Sequence, residues 1–89
     1  MKPKYQLNSQ VNAYISAEFS ALITGKITSI AVATDTSGNL TFEYRISYDN
    51  TYEYVDEADI FSTDATISFE NGKIIITDKE NKKEYKYND

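Results

Sequence analysis

The chain has 89 residues, of which 40% are apolar and 13% aromatic, and its nine Lys and Arg against fourteen Asp and Glu give a net charge of −5. That length suits one domain with one small core, and a chain this aromatic does not read as intrinsically disordered despite its charge. With no Cys and no His, disulfides, thiolate nucleophiles, Ser-His and Cys-His catalytic arrangements and the usual zinc sites are excluded.

Residues 1–4 are basic, carry the only proline and read as a loose or edge-lying arm. The first ten residues lack the apolar stretch of a signal peptide, and no run approaches the ~18 apolar residues of a membrane span. The expectation is a soluble, cytoplasmic protein with no membrane contact. Val11, Ala13 and Ile15 share one face of a first strand. Residues 16–20 read either as a single helical turn capped by Ser16 or as a connecting loop.

The central stretch, residues 25–60, reads as a β-meander. Leu40, Phe42, Tyr44, Ile46 and Tyr48 alternate with Thr41, Glu43, Arg45 and Ser47, the period of two of a half-buried strand. Residues 23–34 are β-branched too, but the odd step from Ile27 to Ile30 moves the apolar side across the strand, so a β-bulge is expected near Thr28 and Ser29. Between these strands, residues 35–39 form a hairpin loop in which Asp35 and Ser37 can bond the turn backbone and Gly38 can take a positive φ. Asp49-Asn50 supplies a further turn and Tyr52 to Val55 a short strand. An acidic run at Asp56, Glu57 and Asp59 follows, and Ile60 and Phe61 return apolar bulk to the core. The expected core is Ile27, Ile30, Phe42, Tyr44, Ile46 and Ile60.

Beyond residue 63 the pattern gives strands at 65–69 and 73–77 and a third at 83–87. Asn71-Gly72 between the first two is the strongest hairpin signal in the chain, because a type I′ turn needs positive φ at both central positions. That hairpin is expected to turn Ile67 and Phe69 to the core with Ile74 or Ile76.

Four stretches carry a family resemblance: Tyr5-x-Leu7-Asn8-x-x-Val11, Thr24-Gly25-Lys26-Ile27-Thr28-Ser29-Ile30, Phe42-Glu43-Tyr44-Arg45-Ile46, and Tyr54-Val55-Asp56-Glu57-Ala58-Asp59-Ile60. In that order they resemble the SH3-like small β-barrels of phage and mobile-element proteins. The resemblance implies an all-β fold, a small antiparallel SH3-like barrel or compact β-sandwich with a C-terminal β-hairpin. Residues 1–89 then form a single β domain, with 5–61 as the meander core and 62–89 as the hairpin extension. It implies no particular activity.

Function rests on charge and tyrosine. From Ile46 to Gly72 stand Asp49, Glu53, Asp56, Glu57, Asp59, Asp64 and Glu70 with no Lys or Arg, whereas residues 73–89 set five Lys against four acids. Such a block either solubilises the surface or docks on a basic partner, where complementary potential speeds encounter. Tyr44, Tyr48, Tyr52 and Tyr54 crowd the same region, as packing pairs or as a contact surface. The Asp56-Glu57-Ala58-Asp59 run has no phosphate-binding loop to accompany it and lacks EF-hand spacing, so no cofactor, metal site or catalytic residue is assigned. Direct nucleic-acid binding fits poorly, since the dense Lys group is confined to Lys79, Lys82, Lys83 and Lys86.

The reading is a non-enzymatic protein-interaction module, monomer or small homo-oligomer, that contacts a protein with a basic surface through Asp49, Glu53, Asp56, Glu57, Asp59, Tyr48, Tyr52 and Tyr54. Given the resemblance, it would be a phage or mobile-element inhibitor with an anti-defence role, covering a basic nucleic-acid-binding site on a host protein. The alternatives are a virion accessory that assembles by edge pairing and a Tudor-like module that contacts peptide or nucleic acid.

Overall fold

The computed structural model describes residues 2–16 and 20–86. Eight strands run in chain order: β1 (Gln10–Ser16), β2 (Ser20–Thr34), β3 (Leu40–Tyr48), β4 (Thr51–Asp56), β5 (Ile60–Phe61), β6 (Thr66–Glu70), β7 (Lys73–Thr77) and β8 (Lys82–Lys86), with one 3-10 turn over Glu57–Asp59 before β5. They build two antiparallel sheets, one of five strands ordered β4-β3-β2-β1-β5 and one of three ordered β6-β7-β8. The fold is a small, compact all-β one. The larger sheet coils without closing, since its edges β4 and β5 do not pair with each other.

The turns follow from their residues. Asp49 and Asn50 both take positive φ (45° and 62°) between paired Tyr48 and Thr51, and Asn71 and Gly72 do the same (50° and 77°) between Glu70 and Lys73. Both are two-residue type I′ hairpins, whose twist matches that of the strands they join. In the 35–39 loop the Asp35 carboxylate accepts from the backbone N–H groups of Ser37 and Asn39, both at 2.9 Å, and Gly38 has a φ of 83°.

The expected bulge is present, as the β2–β3 register shifts between Ile27 and Ser29. It lets Ile23 and Ile27 on one side of Thr28 and Ile30 on the other all point into the same concave core. Gly25 makes the bend possible from the other direction. A Cβ there would stand 2.5 Å from the Ser47 carbonyl oxygen and 2.7 Å from Ile46 Cγ2.

The concave core comprises Val11, Ala13, Ile27, Phe42, Tyr44, Ile46, Val55 and Ile60, with Tyr5, Ile15, Ile23 and Ile30 packed around it. Of the six residues expected there, five are buried and Ile30 is half-buried. Next to the 1–4 arm, the Tyr5 hydroxyl donates to the Ile60 carbonyl at 2.8 Å and its ring meets Tyr44 edge-on at 5.8 Å, while Lys4 of the arm donates its N–H to Glu57 at 3.1 Å.

A second core lies on the convex side. Tyr14 and Phe61 of the larger sheet meet Ile74 and Ile76 of β7, with Leu22, Ala65 and Tyr85 around them. β1 is therefore covered on both faces, and Val11, Asn12, Ala13 and Tyr14 are all buried in succession. Alternation shows only the Val11, Ala13, Ile15 face, because neither Asn nor Tyr announces burial.

Polar bonds tie the second sheet to the end of the first. Within the larger sheet Asn12 accepts from the Thr24 hydroxyl at 2.6 Å and donates to the carbonyl of Ser62, which follows β5, at 3.3 Å. Asp78, in the β7–β8 loop, accepts from the Ser62 N–H at 2.8 Å and from the Glu80 and Asn81 N–H groups at 3.0 and 2.7 Å.

The three-stranded sheet departs from expectation at its first strand. Ile67 and Phe69 do share a face with their partners Ile76 and Ile74, but β7 and the Tyr85 ring of β8 supply the contacts to the second core. Ile74 and Ile76 are buried, whereas Ile67 and Phe69 are 41% and 64% exposed. The third strand begins a residue before the 83–87 pattern, at Lys82, and Tyr87 lies outside the described residues, as do residues 17–19 of the 16–20 stretch.

Candidate functional site: an acidic groove at the open seam

Where the larger sheet fails to close, the β4 edge faces the end of β1 across a groove of about 480 Å³, a size within the range of ligand-binding clefts. Its walls come from five elements. Tyr14, Ile15 and Ser16 of β1 form one side, and Glu53, Tyr54, Val55 and Asp56 of β4 form the other. Glu43 of β3, Asp59 of the 3-10 turn and Tyr85 of β8 complete it. Among the described residues, four carboxylates line the groove, and no Lys or Arg does.

Strand alternation explains the composition. Glu43 is paired directly with Asp56, so both side chains project from one face of the β3–β4 ribbon, whereas Glu53, opposite Ile46, projects from the other face beside Val55. The groove thus collects acids from both faces at the free edge. Tyr85 reaches it from the second sheet, stacked on Tyr14 with ring centroids 3.7 Å apart and donating its hydroxyl to Asp59. Burial, together with that bond to a carboxylate, pushes the Tyr85 phenol well above its ordinary range.

The acidic block of the sequence is divided by the fold. Glu53, Asp56 and Asp59 reach the groove together with Tyr54. Glu57 instead accepts the Tyr44 hydroxyl at 2.6 Å and the Lys4 N–H at 3.1 Å. Burial and that bond to Glu57 raise the Tyr44 phenol to about 12. Glu57 therefore satisfies a core phenol. Asp49 forms the β3–β4 turn, away from the groove lining.

The tyrosines divide as well. Tyr44 is fully buried and Tyr48 half-buried, while Tyr52 and Tyr54 are exposed, their rings edge-to-face at 5.6 Å. Arg45, the chain's single arginine, lies 5.4 Å from the Tyr52 ring and donates to the Thr28 hydroxyl at 2.9 Å. Glu43, Tyr14 and Tyr85 belong to the groove and not to the sequence's acidic block. They come from other strands, and only the β3–β4 pairing and the second core bring them there.

The groove suits a cationic, partly apolar group. Carboxylates separated across two strand faces attract positive charge without converging, and among the described residues no group of Asp and Glu could hold a metal ion. No helix is long and apolar enough to cross a membrane among the described residues. Comparison with known families, with curated proteins and with solved structures finds no match for this chain.

Proposed function

We propose that this protein is a non-enzymatic interaction module that takes a basic segment of a protein partner into the acidic groove at its open seam. The observation that carries this reading is that Glu43, Glu53, Asp56 and Asp59, with Tyr54 beside them, line one groove free of Lys and Arg. A Lys or Arg side chain laid there would meet carboxylates for its head and tyrosine rings for its stem and charge. Net charge adds steering, since complementary potential accelerates encounter.

The SH3-like reading belongs to the same proposal. Its support is that the stretches carrying the resemblance lie along one coiled sheet, from the arm packed beside β1 through β2 and β3 to the β4–β5 segment with its 3-10 turn. On that reading the partner is a host or defence protein whose basic, nucleic-acid-binding surface this chain covers, inside the cell.

The test is binding of fluorescent Lys- and Arg-rich peptides to the wild type and to a Glu43→Lys, Glu53→Lys, Asp56→Lys triple variant at low and high salt. Glu57 is left unchanged because it holds the Tyr44 phenol. Slower association and a flatter salt dependence in the variant are expected, with the melting temperature kept. Equal affinities and equal salt slopes would leave the groove as solubilising surface.

A further inference from the structure

The five-stranded sheet ends at β4, whose ladder partner is β3 alone. The two-residue turn makes Tyr48 and Thr51 a mutually bonded pair, and bonding then alternates along the ladder, so Glu53 and Val55 direct their backbone groups to Ile46 and Tyr44. Tyr52, Tyr54 and Asp56 therefore turn their N–H and C=O groups outward, and all three residues are exposed. Among the described residues no hydrogen bond reaches those outward groups. The other edge of the sheet, β5, has two residues. β4 has six, about 20 Å of edge, and four of them line the acidic groove.

We propose that the basic segment of the partner binds as an extended strand, antiparallel to β4, with its backbone bonded to Tyr52, Tyr54 and Asp56. This rests on the acidic-groove reading above and adds to it the conformation of the segment and the spacing of its charges.

Register sets that spacing. A residue opposite Asp56 stands in one row with Asp56 and Glu43, and a residue opposite Glu53 stands beside that carboxylate on the other face of the ribbon. Both positions favour Lys or Arg, and they lie three residues apart. Between them, the residue opposite Val55 extends the row of Val55 and Tyr44, both buried, and favours a small apolar side chain. The residue opposite Tyr54 extends the row of Tyr54 and Arg45, so the arginine of this chain opposes a further cation there. Read from its N-terminus, the segment is basic, apolar, uncharged, basic.

The same carboxylates decide which strand is accepted. A second copy of β4 would bring its own Glu53 and Asp56 to the groove, where like charge disfavours it. The acids that blunt this edge against self-pairing are the ones that select a basic strand.

The probe is a capped fluorescent peptide, Ser-Lys-Val-Thr-Lys-Thr-Ser, with its first Lys set opposite Asp56 and its second opposite Glu53. N-methylation of the first Thr, whose N–H meets the Tyr54 carbonyl, should weaken binding at least ~10-fold, whereas N-methylation of the second Lys, whose N–H points away from β4, should change it less than ~3-fold. Deuterium exchange at the Tyr54 amide should slow at least ~10-fold when the peptide saturates the protein. Equal losses from the two methyl groups, or an unchanged Tyr54 exchange rate, with binding still lowered by Glu53→Lys and Asp56→Lys, would overturn the strand and keep the acidic groove. Binding indifferent to those two charge reversals, or no binding of the unmethylated peptide at about 1 mM, would overturn both.

Discussion

The two cores are built from similar residues and end in different states. In the concave core, strands wrap around their apolar side chains, and even the Tyr44 phenol is bonded to a carboxylate. In the convex core, a three-stranded sheet rests on β1 and β5 through β7 and the Tyr85 ring of β8. β7 buries Ile74 and Ile76, while the pattern on β6 is exposed from end to end. Apolar alternation makes a strand eligible for burial. Position in the sheet decides whether burial happens.

Truncations that measure both sides give the sharpest contrast. Phe61→Ala, at a fully buried site between the sheets, should cost about 3–5 kcal/mol. Phe42→Ala in the concave core should cost about 3 kcal/mol, since Phe42 is buried but its cross-strand partner Val32 is 64% exposed. Phe69→Ala, with the same atoms removed from β6, should cost no more than about 0.5–1 kcal/mol. Urea unfolding of the three variants at low protein concentration reads all three values, and a Phe69 cost equal to that of Phe61 would erase the distinction.

The turn of the second sheet gives an intermediate effect. Nothing lies within 4 Å of a Cβ at Gly72, so Gly72→Val is opposed only by its φ of 77°, costing on the order of 1 kcal/mol or more. A variant as stable as the wild type would mean that the turn is not type I′.

The smallest expected effects come from pH. The folded Tyr44 phenol is raised to about 12, and Tyr85 is raised as well. Below pH ~10 both phenols are protonated in folded and unfolded chains alike; above it the unfolded chain loses protons that the fold retains, so stability falls as pH rises from ~10. At Asp78 burial pulls the pKa upward, but bonds from the Ser62, Glu80 and Asn81 N–H groups outweigh it and hold the carboxyl below its ordinary value. Its contribution is present above pH ~4 and is lost as pH falls through the lower folded value. Melting temperatures of the wild type, Tyr85→Phe and Asp78→Asn across pH 3–11 would assign each limb. Tyr85→Phe should flatten the alkaline limb and Asp78→Asn the acid one.

Much of the fold was legible because it is written locally. The alternation from Leu40 to Tyr48, the broken step at Thr28 and the Asn71-Gly72 turn each have a physical cause within a few residues. What the sequence left unsaid depends on partners far along the chain. Burial of Asn12 and Tyr14 needs the second sheet, the exposure of Ile67 and Phe69 needs β6 at the edge of its sheet, and the groove needs Glu43 set against Asp56. The acidic block includes Glu53, Asp56 and Asp59, which line the groove, but gave no way to tell them from Glu57, because a carboxylate in a groove wall and one that satisfies a buried phenol look alike in one dimension.

β1 is bonded on both sides, to β2 and β5, and covered on both faces. Its central amides can meet solvent only when a neighbouring strand leaves, so deuterium should enter them at the rate of whole-molecule opening. β6 is an edge strand, hydrogen-bonded to β7 and exposed along its length, and its amides should exchange through local fraying. The chain thus carries a gradient of protection from β1 outward to β6, and the strand that lets go first is one that the fold can release without disturbing the groove.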